Sequence, residues 1–416
     1  MRYLELLGKN AVEAGKILSL KNADEKNAAL IAMAKAIETS SEKIIKSNRI
    51  DVDKAVKSGI SGAFLDRLTL NAKRIQSMAQ GLIDASKLDD PIGELLETIT
   101  RPNGLVINKI RVPLGVVGII YESRPNVTSD AAGLCLKTGN PVILRGGSRA
   151  LNSNIAVADV MRTALDKIGF PKDCIQLVED IDRKTAVEMM RLNKYINVLI
   201  PRGSTSLINE VLKNATVPVI ETGVGICHVY VDCDADLKMA VDITVNAKTT
   251  KPSMCNSAEV LLVHEDVYRD FLPSVYKGLK EFNVEIRGDK KTCEVLSDSV
   301  AAGKDDFDTE FLDYIMAVKV VCGVDEAIDH INTHGTGHSE SIITENKESA
   351  DKFTKRVDAS AVYVNASTRF TDGGEFGMGA EIGISTQMLH ARGPMGLKEL
   401  TSYKYIIQGN GQIRIG

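Results

Sequence analysis

Apolar positions in the first 85 residues recur with the spacing of helices. Leu30, Ile31, Met33, Ala34 and Ile37 fall on one face of a segment rich in Ala, Lys and Glu, which predicts a helix over Ala23 to Ile37. Phe64 to Ile83 repeats the pattern as one more helix. Between 91 and 114 the period shortens. Leu95 to Ile99 and Gly104 to Val112 read as two strands joined through the turn Arg101-Pro102-Asn103-Gly104.

From 115 onward, short β-branched runs alternate with helical stretches. Val116 to Tyr121, Val142 to Leu144, Cys174 to Val178, Val198 to Ile200 and Val217 to Ile220 are the expected strands. Helices are expected over Ser129 to Thr138, Leu151 to Lys167, Lys184 to Met190 and Ser204 to Leu212. This alternation implies a parallel sheet covered on both faces. A second alternation begins near 226, with strands at Cys227 to Val231, Val260 to Val263, Met316 to Val321, Ser341 to Ile343 and Ala361 to Val364. The tail reads as a β-hairpin, Tyr403 to Gln408 and Gln412 to Ile415 around Gly409-Asn410-Gly411. Its exposed edges need a partner, either a second subunit or the rest of the same chain.

The chain has 416 residues, which implies two or three domains. A composition of 44% hydrophobic and 25% charged residues is that of a water-soluble globular protein. The net charge of -4, without a basic block, argues against nucleic acid. The sequence has no apolar run long enough for a membrane span, and its start lacks a signal-peptide apolar core. A cytoplasmic location is expected. Seven cysteines and six histidines are scattered without a close Cys-x-x-Cys pair, so neither a disulfide framework nor a metal site is expected. Cys174 and Cys233 read as small core residues.

Cys255 differs from the other cysteines. It lies in Lys251-Pro252-Ser253-Met254-Cys255-Asn256-Ser257, ahead of the apolar run Val260 to Val263. A thiolate there could attack an acyl carbon and form a thioester, a good hydride acceptor. Met254 and Asn256 offer no charge to lower the thiol pKa, so backbone N–H groups or a cofactor would have to. Asn126 follows the strand ending at Tyr121, where side chains point into sites on such sheets. Its amide could steady an oxyanion, or it could be a turn residue after Pro125. Arg145-Gly146-Gly147-Ser148 and Pro201-Arg202-Gly203-Ser204 each follow a strand. Both could hold a pyrophosphate at a helix start, or be tight turns, with Ser204 a good N-cap. Glu221, in Glu221-Thr222-Gly223-Val224-Gly225, is either a base, an orienting group or a solvated acid. Glu375 with Phe376 could hold a ribose. His338 and Ser339 could line a substrate pocket, and Arg124 and Arg369 could bind carboxylate or phosphate.

Taken together, Cys255, Glu221, Pro113-Leu114-Gly115-Val116-Val117-Gly118, Asn126 and Ser204 resemble the aldehyde dehydrogenase superfamily along nearly the whole chain. Longer runs are similar to one branch, the gamma-glutamyl phosphate reductases. They include Tyr121-Glu122-Ser123-Arg124-Pro125-Asn126-Val127-Thr128, Cys227-His228-Val229-Tyr230-Val231-Asp232 and Ala391-Arg392-Gly393-Pro394-Met395-Gly396-Leu397. The resemblance implies an α/β, aldehyde dehydrogenase-like fold of two open-sheet α/β domains plus a small β oligomerisation flap. Residues 1–94 and 115–225 would bind NADP(H), 226–390 would carry the nucleophile, and 95–114 with 391–416 would form the flap of a dimer or tetramer. It implies NADPH-dependent reduction of L-glutamyl 5-phosphate to L-glutamate 5-semialdehyde through a Cys255 thioester, with Asn126 on the oxyanion. Arg145, Gly146, Ser148, Gly203, Ser204, Glu375 and Phe376 would hold the cofactor. Arg124, His338, Ser339 and Arg369 would hold the substrate. Ser148 stands where NAD-preferring members place an acid, which fits a 2′-phosphate. Phe376 comes one residue earlier after Glu375 than in the superfamily pattern. An association with glutamate 5-kinase is a further implication. The alternative is an oxidative aldehyde dehydrogenase whose thioester is hydrolysed with Glu221 as base.

Overall fold

The computed structural model describes residues 3–414. The chain divides into two compact units. The first comprises the residues up to Glu221, Met378–Gly383 and the chain from Met395 on, and the second comprises Thr222–Gly377 and Ile384–Pro394. The expected boundary at 225/226 thus falls at 221/222, and the flap strands cluster with the first unit.

The first unit opens with helices α1 (Tyr3–Leu18), α2 (Ala23–Thr39), α3 (Ser41–Lys57), α4 (Gly62–Leu68) and α5 (Ala72–Lys87). Asn22 and Glu25 form a reciprocal capping box at the start of α2. The single helix expected over Phe64 to Ile83 is in fact two. Buried Asn48 of α3 donates to the Leu68 carbonyl at 2.8 Å and accepts from the Leu70 N–H at 2.7 Å. These bonds hold Thr69-Leu70 out of the helix, and Asn71 caps the next one by accepting from the Arg74 N–H.

Strands β1 (Leu95–Thr100) and β2 (Val106–Pro113) pair antiparallel across the expected turn. Then β3 (Val117–Tyr121), α6 (Asn126–Lys137), β4 (Val142–Gly146), α7 (Leu151–Lys167), β5 (Ile175–Leu177), α8 (Arg183–Met190), β6 (Val198–Arg202) and α9 (Thr205–Asn214) follow. The strands form a parallel sheet of order β5-β4-β3-β6. The strand expected at Val217 to Ile220 is reduced to one bridge, Leu199 to Val219. Pro218 has no N–H to give, which cuts the ladder short.

In the second unit, β7 (Cys227–Val231), α10 (Leu237–Thr249), β8 (Ala258–His264), α11 (Tyr268–Lys280), β9 (Glu285–Gly288), α12 (Lys290–Val295), β10 (Val300–Ala301), β11 (Ile315–Val321), α13 (Val324–His334), β12 (Ser339–Ile343), α14 (Lys347–Arg356) and β13 (Ala361–Val364) build a seven-stranded sheet. Every pairing in it is parallel, and the order is β10-β9-β11-β8-β7-β12-β13. Strands β9 and β10 were not expected: β9 alternates charge with apolar residues and β10 has two residues. The short β14 (Ile384–Ser385) and β15 (Gly393–Pro394) pair antiparallel.

The chain then returns to the first unit with β16 (Thr401–Gln408). This strand does not form the expected hairpin with 412–415. It pairs along its whole length with β2, from Thr401–Pro113 to Gln408–Val106, because the edge of β2 is longer than any edge the tail could offer. Residues 412–414 are not strand, and Ile415 lies outside the described residues. Among the described residues no helix is long and apolar enough to cross a membrane.

Candidate active site

Lys251-Pro252 ends α10, since proline cannot continue a helix, and the chain turns through Ser253 to Asn256 before β8. Cys255 sits on this turn, partly exposed. Its carbonyl oxygen is held from below. The Cys227 thiol, the first residue of β7, donates to it at 3.2 Å. Burial pushes the Cys227 thiol well up, so it stays protonated and can donate. Gly225 passes under the same carbonyl, and a β-carbon there would lie 1.5 Å from it. The second glycine of the Glu221 to Gly225 segment is therefore required by the Cys255 turn. The Gly225 N–H in turn donates to Glu310 at 2.8 Å.

Asn256 bolts the turn to the segment Ser367 to Thr371. Its side chain donates to the Thr371 carbonyl at 2.9 Å, and its own carbonyl accepts from the Thr368 hydroxyl at 2.7 Å. This clamp sets Arg369 near Cys255. The Nε and Nη1 groups of Arg369 are buried with no hydrogen-bond partner among the described residues. Burial pulls the guanidinium below its ordinary pKa, and negative charge at Cys255 is the first influence opposing that. An arginine with orphaned donors near a cysteine has hydrogen bonds to offer an anion. The charge that the immediate neighbours of Cys255 do not supply comes from 114 residues further along the chain.

His338 and Ser339 differ from their expected role. Both are fully buried, because Ser339 opens β12, an interior strand between β7 and β13, and His338 immediately precedes it. Ser339 donates to Thr371 at 2.7 Å, His338 Nδ1 lies 2.8 Å from the Ser339 hydroxyl, and the same nitrogen lies 3.7 Å from Cys227 Sγ. They brace the network under Cys255 and are not open to a ligand. Burial holds His338 neutral by pulling its pKa down to about 4. Glu375 and Phe376 are exposed on the turn after Arg369, where the Phe376 N–H donates to the Asp372 carbonyl at 2.9 Å.

In the first unit, β3, β4 and β6 are in register at Tyr121, Gly146 and Arg202. The Asn126, Arg145–Ser148 and Arg202–Ser204 segments therefore all lie at the carboxyl end of one parallel sheet, where such sheets bind ligands. Asn126 is exposed at the start of α6, and its side chain donates to Asp130 at 2.9 Å. Arg124 is exposed close by. Arg145 has a buried Nε without a partner among the described residues and a long bond from Nη2 to the Ile181 carbonyl at 3.3 Å. Ser148 is exposed. A β-carbon on Gly146 would lie 2.0 Å from Asn154, and one on Gly203 would lie 2.7 Å from Glu122. Internal packing accounts for both glycines. Ser204 occupies the N-cap position of α9 but makes no cap bond, because its hydroxyl is turned to Glu122. Glu221 is partly buried at the end of this unit.

One cysteine expectation changes in detail. Cys174 is buried as expected, but Cys233 is exposed, two residues past the end of β7. Asp232, Cys233 and His264 place ligand atoms within 4.8 Å of one another at the opposite end of the β7–β8 pair from Cys255. Asp232 is already engaged there by the Tyr230 and Thr344 hydroxyls, each at 2.8 Å. Sequence reasoning also passed over Cys227, Gly225, Asp130 and Glu310. Their roles depend on contacts that no local motif marks.

A parallel sheet with anion-seeking groups at its carboxyl end, and a second α/β unit presenting a braced thiol beside an arginine, define a thiol-dependent, dinucleotide-linked enzyme. The sequence pattern of the aldehyde dehydrogenase family matches residues 5–297 and 295–406. The chain is 59% identical over 414 residues to gamma-glutamyl phosphate reductase of Clostridium beijerinckii, covering 100% of both chains. It is 58% identical over 411 residues to that of Clostridium perfringens, covering 99% of each. The crystal structure of gamma-glutamyl phosphate reductase from Thermotoga maritima superposes with a TM-score of 0.97 at 50% identity, with 100% of each chain covered. The chain belongs to the aldehyde dehydrogenase family and, within it, to the gamma-glutamyl phosphate reductases.

Proposed function

We propose that this enzyme reduces L-glutamyl 5-phosphate to L-glutamate 5-semialdehyde, with Cys255 as nucleophile and NADPH as the hydride source. This is the second step of proline formation from glutamate. The observation that carries the residue assignment is the partly exposed Cys255, braced at its carbonyl by Cys227 and accompanied by the orphaned donors of Arg369. The Cys255 thiolate attacks the acyl carbon, and phosphate leaves with the bonding electrons. Arg369 stabilises the thiolate and receives an anionic group of the substrate. Arg124 is a second candidate for the substrate's anionic groups. Asn126 donates to the oxyanion of the tetrahedral adduct. When bound, NADPH supplies the hydride that reduces the thioester. The orphaned Nε of Arg145 suits the cofactor phosphates, and Ser148 leaves no carboxylate to repel a 2′-phosphate. Glu375 and Phe376 are kept as ribose-side contacts, and Gly203 and Ser204 as the pyrophosphate-side turn. His338 and Ser339 act as braces and not as ligands.

The subunits assemble through the β1-β2-β16 sheet, and the reactive acyl phosphate favours direct delivery from the kinase that makes it. The second reading, oxidation with Glu221 as base for thioester hydrolysis, predicts a different dependence on phosphate. The test is the reverse reaction, NADP⁺ reduction with glutamate semialdehyde, with and without inorganic phosphate. Strict phosphate dependence supports the reductase. Phosphate-independent formation of glutamate overturns it in favour of hydrolysis. Asn126→Ala is expected to slow single-turnover acylation roughly 10²–10³-fold, and a rate near wild type would remove Asn126 from this role.

A further inference from the structure

The carboxamide of Asn126 has two nearly identical faces. Rotation by 180° exchanges its NH₂ for its C=O. Only the NH₂ face steadies a developing oxyanion, and the C=O face would repel it. Something must choose between them, and the fifth residue of α6 is placed to do so.

Asp130 follows Asn126 by four residues, so both side chains lie on one face of α6. Asn126 Nδ2 donates to Asp130 Oδ2 at 2.9 Å. An ionised carboxylate can only accept. It therefore binds the NH₂ of Asn126 and rejects the C=O. One N–H is used in this bond and the second is left for a ligand. Ser129 ties the same turn together, donating to the Asn126 carbonyl at 2.8 Å and, more weakly, lying 3.4 Å from Asp130 Oδ1.

The usual reasons for an acid near a helix start do not apply here. Asp130 lies beyond the first turn, where the macrodipole has faded. It forms no cap and belongs to no ion pair among the described residues. Burial instead opposes its charge and pushes its pKa up to about 6, partly offset by its bonds to Asn126 and Ser129 and by the Arg202 charge. By accessibility Asp130 is only half-buried, and its bond to Asn126 is open to solvent, so the pair can be reached by a ligand.

We infer that Asp130 is a positioning residue whose carboxylate locks the Asn126 carboxamide with one N–H presented to the oxyanion. This rests on the assignment of Asn126 made above, and the test separates the two. Single-turnover acylation, read as phosphate release, is measured for Asp130→Leu and Asp130→Asn, alone and combined with Asn126→Ala. NADPH affinity and thermal midpoint serve as controls for folding. Asp130→Leu removes the acceptor and is expected to slow acylation about 10-fold through misplacement of the amide, with NADPH affinity unchanged. Asp130→Asn keeps an accepting oxygen in the same volume, so it should lose less, and it stands in if the leucine variant does not fold. In the Asn126→Ala background neither change should slow acylation further. Wild-type acylation in both Asp130 variants, with Asn126→Ala slow, overturns the inference while leaving Asn126 in place. An equal slowing by Asp130→Leu with and without Asn126 also overturns it, because Asp130 would then act elsewhere. Wild-type acylation by Asn126→Ala overturns the Asn126 assignment and the inference together.

Discussion

At Cys255 the backbone is fixed as firmly as the side chain is exposed. Cys227 donates to its carbonyl, and Gly225 passes so close that a β-carbon there would lie 1.5 Å from the same oxygen. Gly225→Ala should push the Cys255 peptide aside and lower kcat roughly 10²-fold, the cost of misplacing reacting groups by about an ångström. The variant's circular dichroism should remain that of the native fold, and near-native kcat would show that the turn can yield. Arg369 tests the anion seat. Arg369→Lys keeps the charge but loses the fork, so KM for the acyl phosphate should rise about 10-fold, near the worth of one charge-assisted hydrogen bond. An unchanged KM would mean that Arg369 serves only the thiol. The residue types at both places were legible in the sequence: a cysteine on a small polar turn, and an arginine able to grip an anion. That Arg369 lies near Cys255 was not legible, because the link runs through Asn256, Thr368 and Thr371.

Among the elements, helices with clear starts and fully buried strands matched their pattern, and the exceptions have local causes. Asn48 broke one expected helix in two, and Pro218 reduced one strand to a bridge. Asp51 of α3 shows how one element fixes another. Its carboxylate accepts from the Ser153 N–H at 2.8 Å and the Ser153 hydroxyl at 2.6 Å at the start of α7. Asp51→Ala leaves these buried donors unmet and should cost about 2 kcal/mol in urea unfolding; a loss of only a few tenths would show that water replaces the bond. A pH effect belongs to α13. His330 packs edge-on to Phe307 at 5.2 Å, and its Nε2 is buried without a partner among the described residues. Burial pulls its pKa from 6.5 down to about 3. The native imidazole stays neutral while the unfolded one takes a proton below pH 6.5. Its contribution is therefore present above that value and is lost as pH falls toward 3. Glu259 and Glu340, both raised by burial, act in the opposite sense, so only a comparison isolates the histidine. His330→Phe should flatten the fall in unfolding free energy between pH 6 and 4 by up to about 1.4 kcal/mol per pH unit. An unchanged slope would place the proton elsewhere.

For the whole molecule, the three-stranded sheet is the feature a single chain leaves unfinished. β16 lies against β2 but is open along nearly all its length, with Tyr405 50% and Ile407 59% exposed. β1 is equally open. Apolar side chains on a sheet with bare edges call for a covering surface. If the subunits assemble through this sheet as proposed, Ile407→Lys together with Tyr405→Glu should yield smaller species in sedimentation, while each chain keeps its fold. An unchanged sedimentation coefficient would move the interface elsewhere.

The sequence by itself determined the alternation that builds two parallel sheets, the chemistry available at Cys255, Asn126 and Arg145, and the family. These depend on periodicity and on residue type, which are local properties. The tertiary structure decided what each group does with its neighbours. It turned Ser204 from a cap to a partner of Glu122, and enclosed His338 and Ser339 near the Cys255 turn. It also paired the tail with β2, set Gly225 under the Cys255 carbonyl and joined Asp130 to Asn126. Except for the last, these contacts join residues far apart along the chain. Hydrogen bonding and close packing act over a few ångströms of space, and only folding sets those distances.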